Sequence, residues 1–355
     1  MTSRRTVVRR APGKLFVAGE YAVVEPGTPS ILVAVDREVT VTVSGACGSG
    51  TVVSSDLGPR TRAPHVQAAL KTVAGLLAER GLPAPALNIT VSSRLHENGR
   101  KFGLGSSGAV TVAAVEAVAA FCGMTLSHDH LFRLALLATA RLDAKGSGGD
   151  LAASTWGGWI TYRAPDRAFV LDLARRRGVE EALRTPWPGL EIRRLPPPAG
   201  LALEVGWTGR PASTPSLVSG LHRRTWRGSA SHQKFVAAST DFVRAATGAL
   251  ETGDGTGLLR QIRRARQELA RLDEEVGLGI FTAELTALCD VAESVGGAAK
   301  PSGAGGGDCG IALLDAEASP DIAHVRERWT AAGVRPLPIR PAMEKENLHD
   351  RPTQG

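Results

Sequence analysis

The stretch Lys101–Val110, KFGLGSSGAV, places three glycines and two serines between a basic residue and a long apolar helical pattern. Two interpretations of this segment are open. It can be a loop that ends in a serine N-cap, as at many helix starts. It can also be an anion site, in which free backbone N–H groups and the helix dipole meet a phosphate. The rest of the chain has to decide between them.

The composition is that of a globular protein whose length favours two domains. The chain has 355 residues, of which 43% are hydrophobic and 22% are charged. No apolar run reaches the roughly 18 residues of a transmembrane helix, and the basic N-terminus has too short an apolar stretch for a signal peptide. The four cysteines are scattered, without metal-binding spacing, which favours reduced thiols. We therefore expect a cytoplasmic protein without a membrane segment.

The charge balance alone does not identify a partner. The net charge is +7 and the aromatic content is only 5%. A nucleic-acid binder can be this basic, but the arginines are spread through helical patterns, and the clusters at 175–177 and 260–266 are typical of solvated helix faces. A basic protein can equally bind an anionic small molecule. We expect no nucleic acid among the partners.

The order of strand and helix patterns predicts an α+β fold. Alternating apolar residues over 14–24 and 31–43 predict strands, and an amphipathic pattern over 65–81 predicts a helix that ends at glycine. Further helices are predicted over 106–121 and 127–144, further strands over 87–93, 157–164 and 201–207, and mainly helices from about 213 to 295.

A proline-rich segment divides the chain. Residues 184–200 contain TPWPG and LPPPAG, which predicts an inter-domain connection. The predicted domains are therefore residues 1–195 and 196–340. The polar tail 341–355 is expected to be disordered.

The glycine-rich stretch around Gly105 has two counterparts elsewhere in the chain. They are PGKLFVAGEY (12–21) and KPSGAGGGDCG (300–310). None of the three matches a Walker A motif or a Rossmann fingerprint. Glycine nevertheless lets the backbone reach positive φ angles, so that successive N–H groups converge on an anion. Ser106 and Ser107 can add hydroxyl groups, one of them to Mg²⁺.

These three segments, in this order, resemble the signature segments of the GHMP kinase superfamily, and the resemblance extends over roughly residues 6–340. It favours the anion site over the serine cap at GLGSSGA. It also implies a two-domain α+β fold, with an S5-like N-terminal domain that binds ATP and a ferredoxin-like C-terminal domain. The active site would lie in the cleft between them.

Within the superfamily, APGKLFVAGEYAVVEPG (11–27) most closely resembles the phosphomevalonate kinases. Tyr21 stands where mevalonate kinases usually carry histidine, and AKGSGGD (144–150) stands where they carry HGxPSGxD. The segment 205–218 also fits the phosphomevalonate kinases. The resemblance implies ATP-dependent phosphorylation of (R)-5-phosphomevalonate to 5-diphosphomevalonate, with Mg²⁺, by a monomer or homodimer. The alternatives are a mevalonate kinase, another small-molecule GHMP kinase, or a non-catalytic nucleotide-binding protein on the same scaffold.

The resemblance assigns the reactive pair to Lys14 and Asp150. Lys14 would neutralise charge on the acceptor and on the transferring group. Asp150 would orient the acceptor, hold Lys14 or act as a base, and the sequence does not separate these roles. Without the resemblance, Lys14 reads as an exposed strand residue and Asp150 as a helix cap.

The same resemblance assigns the nucleotide site to the stretch Lys101–Val110. Lys101 would reach a phosphate, or would be a solvated lysine, and Ser107 would bind Mg²⁺, with Ser106 as the alternative. The glutamate that mevalonate kinases place eleven positions before the aspartate is Thr139 here. The predicted nucleotide-binding residues are Lys101, Gly103, Leu104, Gly105, Ser106, Ser107, Gly108 and Ala109.

Substrate contacts are predicted in three places. They are Ser147, beside Asp150; Arg210 and Ser213, in TGRPAS; and the third loop, where Gly303–Gly307 would line the site. An arginine fork suits a phosphate group. Asp308 is expected to be structural, and the histidines are expected at the surface or at caps. The predicted substrate-binding residues are Lys14, Ser147, Asp150, Arg210, Ser213, Gly305 and Gly306.

Overall fold

Two long antiparallel strands at the start of the chain organise the first sheet. They are β1 (Thr6–Ala18) and β2 (Pro29–Gly45). The second half of β1 is continuously buried, whereas its first half alternates between exposed and half-buried residues. The computed structural model of the protein describes residues 5–46, 50–56, 63–143, 146–212 and 226–344.

The first sheet has six strands in the order β3-β4-β2-β7-β8, and β1 pairs with β2 beside this path. The first part of β2 pairs with β7 and its second part with β4, while β3 and β4 are parallel. A short hairpin, β5–β6, precedes the glycine-rich loop. The remaining strands are β3 (Val52–Ser55), β4 (Leu87–Ser93), β5 (His96–Glu97), β6 (Arg100–Lys101), β7 (Trp159–Arg163) and β8 (Glu191–Leu195).

In the described ranges, six helices accompany this sheet, and one of them, α2, lies at the centre of the core. The α2 sequence is rich in alanine and valine, and buried residues occur on all its sides. It contacts β1, β2, α1, α3 and α4, so small side chains allow close packing in several directions. The helices are α1 (Pro64–Glu79), α2 (Ser106–Phe121), α3 (His128–Ala140), α4 (Gly149–Trp156), α5 (Arg167–Arg177) and α6 (Val179–Arg184).

The second sheet has four antiparallel strands in the order β10-β11-β9-β12. Helices α9 and α10 pack against it through a separate apolar cluster around Trp329. None of the helices in the described ranges is long and apolar enough to cross a bilayer. The elements are β9 (Leu201–Trp207), α7 (Ala230–Thr252), α8 (Gly255–Val276), α9 (Ala283–Ser294), β10 (Ala298–Pro301), β11 (Cys309–Asp315), α10 (Ser319–Ala331) and β12 (Arg335–Leu337).

The structure confirms the predicted α+β class, and the predicted bounds 87–93 and 106–121 agree with β4 and α2. The strand predicted over 14–24 is wrong beyond Ala18, because Gly19 and Tyr21 have φ values of 94° and 61° that break it. A 3-10 turn, Ala22–Val24, follows instead.

Two further segments differ from expectation. The proline-rich segment 184–200, predicted as a connection, contains β8, which pairs with β7. Residues 341–344, where a disordered tail was expected to begin, return to the first sheet through isolated bridges of Pro341 to Val35 and of Glu344 to Gly157. The rest of that tail, 345–355, lies outside the described residues.

Candidate active site

A cavity of about 510 Å³ opens where the three glycine-rich segments meet. Its walls come from the end of β1, the loop between β6 and α2, the start of α4, and the loop between β10 and β11. The residues that line it are Lys14, Phe16, Glu20, Tyr21, Val23, Val24, His65, Lys101, Gly103, Gly105, Ser106, Ser107, Asp143, Gly146, Ser147, Asp150, Pro211, Ala212, Gly303, Ala304 and Asp308.

The loop before α2 presents the N-terminus of that helix to the cavity. Gly103 and Gly105 have φ values of 82° and 74°, in the left-handed region that favours glycine. Gly105 is the N-cap of α2, and no side chain caps the helix there. The serine cap of the alternative interpretation is therefore not what the fold contains, since Ser106 and Ser107 are the first helical residues and line the cavity. An uncapped helix N-terminus offers N–H groups to an anion.

The other predicted nucleotide-binding residues occupy different places. Lys101 lines the cavity with an exposed side chain. Leu104, Gly108 and Ala109 are buried behind the cavity wall. Leu104 contributes through its carbonyl oxygen, which accepts the Lys14 N–H at 2.8 Å.

Lys14 is a buried lysine that reaches the glycine loop from β1. Its side chain is held over the ring of Phe16, and Nζ donates to the Gly103 carbonyl oxygen at 3.4 Å. The backbones approach closely here: a methyl group on Gly13 would lie 2.7 Å from the Leu104 carbonyl oxygen. Burial lowers the pKa of Lys14, and Asp150 is the first of the neighbouring groups that oppose this shift.

Asp150 is the second residue of α4, and the helix follows the N-cap Gly148, whose φ is 82°. Its carboxylate is packed against α2, because a methyl group on Gly108 would lie 2.5 Å from Asp150 Oδ2. Burial raises the pKa of Asp150, while the Lys14 ammonium lowers it. Helix packing thus brings a carboxylate and an ammonium together at the N-terminus of α2.

The third loop is held against the first segment by hydrogen bonds and by an ion pair. Ser302 Oγ accepts the Phe16 N–H at 2.8 Å and donates to the Phe16 carbonyl oxygen at 3.0 Å. Lys300 and Glu20 form a buried ion pair. The Tyr21 hydroxyl donates to the carbonyl oxygen of Ala304.

These contacts decide which residues of the third loop face the cavity. Gly303 and Ala304 line it. Gly305 and Gly306 instead contact Ile280: a methyl group on Gly305 would lie 2.6 Å from the Ile280 carbonyl oxygen, which accepts the Gly306 N–H at 2.8 Å. Gly305 and Gly306, which were predicted to contact the substrate, are therefore not among the residues that line the cavity.

Of the other predicted substrate-binding residues, Ser147 lines the cavity, whereas the Arg210 side chain is directed elsewhere. Ser147 lines the cavity, and its carbonyl oxygen accepts the Tyr162 hydroxyl at 2.6 Å. The Arg210 side chain is 74% exposed and pairs with Glu284 at 3.3 Å, whereas Pro211 and Ala212 line the cavity. Ser213 lies outside the described residues.

Three residues line the cavity although the sequence analysis did not predict them as site residues: His65, Asp143 and Asp308. His65, expected at the surface or at a helix cap, lines the cavity, and its Nδ1 lies 3.4 Å from Thr111 Oγ1. Thr139 directs its hydroxyl to helix carbonyl oxygens, while Asp143, one turn later, lines the cavity. Asp308, expected to be structural, also lines it. The spacing of eleven positions before Asp150 leads to Thr139 and therefore does not identify Asp143.

The donor set suits a cation that arrives with phosphates. Among the described residues, no three histidine, cysteine or acidic side chains cluster to hold a metal. The cavity does offer the Ser106 and Ser107 hydroxyls together with carboxylates. Mg²⁺ commonly binds through one or two protein oxygens, several waters and substrate phosphates. These residues therefore fit Mg²⁺ held by a nucleotide.

Comparison with known proteins shows the same architecture. The chain matches the models for the GHMP kinases N terminal domain over residues 66–158 and for the GHMP kinases C terminal domain over residues 246–333. It is 69% identical to a phosphomevalonate kinase of Streptomyces sp. (strain CL190), with 97% of this chain and 99% of the relative covered.

Two other similarities are more distant. The solved Streptococcus pneumoniae phosphomevalonate kinase, in complex with phosphomevalonate and AMPPNP, is 27% identical, with a TM-score of 0.84 over 94% of this chain and 99% of that one. A mevalonate kinase of Methanothermobacter thermautotrophicus is 27% identical over 90% of this chain and 94% of its own. The chain belongs to the GHMP kinases and, within them, to the phosphomevalonate kinase family.

Proposed function

We propose that the protein transfers the γ-phosphoryl group of ATP to the phosphate of (R)-5-phosphomevalonate, forming 5-diphosphomevalonate and ADP in the mevalonate pathway. The observation that carries this proposal is the meeting of Lys14, Asp150 and the uncapped N-terminus of α2 in one cavity. The similarity to a phosphomevalonate kinase over nearly the whole chain supports the choice of acceptor.

The acceptor chemistry suits this site. A phosphate oxygen of the acceptor is already ionised near neutral pH, so the reaction needs little help from a general base. It needs two anions to be held in line and their repulsion to be reduced. Lys14 is placed to do this, because its ammonium is buried next to the loop that would hold the triphosphate. A charge in such a desolvated site acts more strongly than in water.

Asp150 would orient Lys14 and the acceptor. Its carboxylate is fixed by α2 and by its own Oδ1, which accepts the Leu151 N–H at 3.0 Å. The second oxygen, Oδ2, is the one packed against Gly108. A rigid carboxylate of this kind stabilises the ammonium form of Lys14 in the geometry required for transfer.

The nucleotide phosphates would bind to the loop from Gly103 to Ser107 and to Lys101, and Ser107 would help to hold Mg²⁺, with Ser106 as the alternative. Bound Mg²⁺ neutralises charge on the phosphate oxygens. Ser147, which lines the cavity, would contact the acceptor. Arg210 and Ser213 remain proposed acceptor contacts, for which Arg210 would have to leave Glu284. Gly305 and Gly306 would act by shaping the loop.

Tyr21 links the first segment to the third loop at the wall of the proposed acceptor site. Its hydroxyl is engaged by the third loop, and its side chain lines the cavity. The position that is usually histidine in mevalonate kinases therefore serves here to connect two walls of the site.

A cytoplasmic location fits the free thiols of Cys122, Cys289 and Cys309.

The test is ADP release measured side by side with 5-phosphomevalonate and with mevalonate, and ³¹P NMR of the product. We expect a diphosphate product from 5-phosphomevalonate and at most trace turnover of mevalonate. Equal or faster turnover of mevalonate would identify a mevalonate kinase. Tight ATP binding without turnover of either compound would identify a non-catalytic nucleotide-binding protein. EDTA should abolish the activity and excess Mg²⁺ should restore it.

A further inference from the structure

Asp308 is a cavity carboxylate that the proposed reaction does not yet use. It follows a run of glycines and itself has a φ of 53°, in the left-handed region where side chains other than those of asparagine and aspartate are uncommon. Non-glycine residues in this conformation are often found at functional sites, where surrounding structure enforces them. The question is what this side chain contributes.

The surrounding backbone fixes Asp308 firmly. Its N–H donates to the Arg210 carbonyl oxygen at 2.8 Å, and its carbonyl oxygen accepts the Thr208 N–H at 3.0 Å. Its side-chain Oδ1 accepts the Ala212 N–H at 3.0 Å. These bonds continue the pairing of β11 with β9 into the loop and leave the carboxylate with one orientation.

The carboxylate is directed at Gly103, the residue that also receives Lys14. A methyl group on Gly103 would lie 2.3 Å from Asp308 Cγ and 2.6 Å from Asp308 Oδ2. The carbonyl oxygen of the same Gly103 accepts Lys14 Nζ. Lys14 and Asp308 therefore converge on one peptide of the glycine loop, and both line the cavity.

We propose that Asp308 is a positioning residue, whose fixed carboxylate keeps Lys14 charged and seated against Gly103 for phosphoryl transfer. This role rests on the proposed function of Lys14. A carboxylate is unexpected in a site that binds anionic substrates. It is explained by Lys14, because burying an ammonium is unfavourable unless negative charge lies nearby. Asp308 supplies such a charge before the substrates bind.

The groups that act on Lys14 come from every wall of the cavity. Burial has the largest effect and lowers the Lys14 pKa; among the neighbouring groups, Asp150 on α4 opposes this shift most, followed by Asp308, Cys309 on β11, and Glu20. Glu20 is already paired with Lys300. Among the described residues, Asp150 and Asp308 are the two of these carboxylates that form no ion pair with another side chain.

The informative variant is Asp308→Asn. Asparagine tolerates a positive φ and its oxygen can still accept the Ala212 N–H, so the fold is retained while the charge is removed. Loss of the negative charge lowers the pKa of Lys14, so the alkaline limb of the kcat profile should move to lower pH by about one unit, a tenfold change in the ionisation equilibrium. The ratio of variant to wild-type kcat should rise as the pH falls.

Two further variants separate positioning from a structural role. Asp315→Asn is the matched control, because Asp315 Oδ1 also accepts a backbone N–H, from Glu317 at 2.9 Å, at the exposed end of β11. It should leave the profile unchanged. Asp308→Glu retains the charge and should restore the alkaline limb. A purely structural Asp308 predicts a lower melting temperature and a kcat ratio that is constant with pH, and that result would overturn the proposal.

An experiment without turnover keeps this inference separate from the reaction itself. The Lys14 Nζ ionisation can be followed by ¹³C NMR of the ligand-free protein, with the signal assigned by its loss in Lys14→Met. We expect a lower Lys14 pKa in Asp308→Asn than in the wild type, and an unchanged value would contradict the inference. Failure of the wild type to phosphorylate 5-phosphomevalonate would instead contradict the proposed function.

Discussion

The carboxylate of Asp150 occupies the space that a side chain on Gly108 would need. A methyl group built on Gly108 would lie 2.5 Å from Asp150 Oδ2 and 2.6 Å from Asp150 Cγ. Because Gly108 lies in the first turn of α2, the absence of a side chain at this one helical position lets α4 bring its aspartate to the helix N-terminus. This close approach gives the first prediction.

Gly108→Ala should reduce activity although alanine favours helices. The methyl group displaces Asp150, and a displacement of roughly 1 Å can cost about 100-fold in rate. Gly248→Ala is the control, because it lies in α7 with no atom within 4 Å of the added methyl group. That control should gain about 0.5–1 kcal/mol of stability and keep full activity. Wild-type kcat in Gly108→Ala would show that the position of Asp150 is unimportant.

Lys14→Met should abolish activity and leave the protein folded. Methionine fills a similar volume, and loss of a preorganised charge typically costs about 100- to 1000-fold in kcat. Lys71→Met, on the exposed face of α1, is the control and should behave as the wild type. Retention of more than a tenth of the wild-type rate would place Lys14 outside the chemistry.

The activity of the wild type should also fall at alkaline pH because of Lys14. The ammonium is the active form, and burial lowers its pKa below the ordinary value of about 10.4. As the pH rises through this lowered pKa, the proton is lost and kcat falls. A kcat profile measured with saturating ATP and acceptor checks the prediction; a flat profile up to the ordinary lysine pKa would contradict it.

Gly105→Ala should weaken ATP binding more than its effect on stability explains. Its φ of 74° strains any side chain, and the added methyl group would lie 2.9 Å from Lys14 Cγ. Gly333→Ala has a similar φ, 80°, but no atom within 4 Å, so both variants should lose roughly 1–2 kcal/mol of stability. Only Gly105→Ala should raise the ATP dissociation constant, by about tenfold or more, which corresponds to about 1.4 kcal/mol. Equal ATP affinity in the two variants would show that the loop around Gly105 does not bind the ATP phosphates.

Lys300→Met should destabilise the protein strongly. The Lys300 and Glu20 side chains are 0% and 3% exposed, so the substitution leaves a buried carboxylate without its cation. Such a loss costs about 3–5 kcal/mol. The double variant Glu20→Gln with Lys300→Met should recover part of it in urea unfolding.

A solvent-exposed pair provides the comparison for that prediction. Arg271 pairs with Glu268 on α8, and the Arg271 side chain is 71% exposed. Arg271→Met should cost less than about 1 kcal/mol. Similar losses in Lys300→Met and Arg271→Met would mean that the buried pair does not hold the third loop to the first segment.

Local sequence determined some of the helices and strands, and it also determined which loops are rich in glycine. Helix α2 and strand β4 could be bounded from periodicity, and the glycine-rich segments could be recognised, because backbone conformation there depends on residues that are adjacent in the chain. The boundary of β1 was missed, since a tyrosine with positive φ at position 21 is imposed by packing and is not a preference of tyrosine. Strand β8 was missed because its partner, β7, is a long-range neighbour.

Only the tertiary structure decided which side chains share the cavity. Lys14, Ser147 and Asp150 were predicted and do line it, whereas Arg210 turns to Glu284 and Gly305 packs against Ile280. Asp308 enters the cavity because β11 and β9 pair in a register that aims it at Gly103. Sequence fixes which chemical groups the chain has and the local backbone they prefer. Their distances and burial, and with them the pKa of Lys14, arise from contacts between segments far apart in the chain, such as Lys14 and Gly103, which are 89 positions apart.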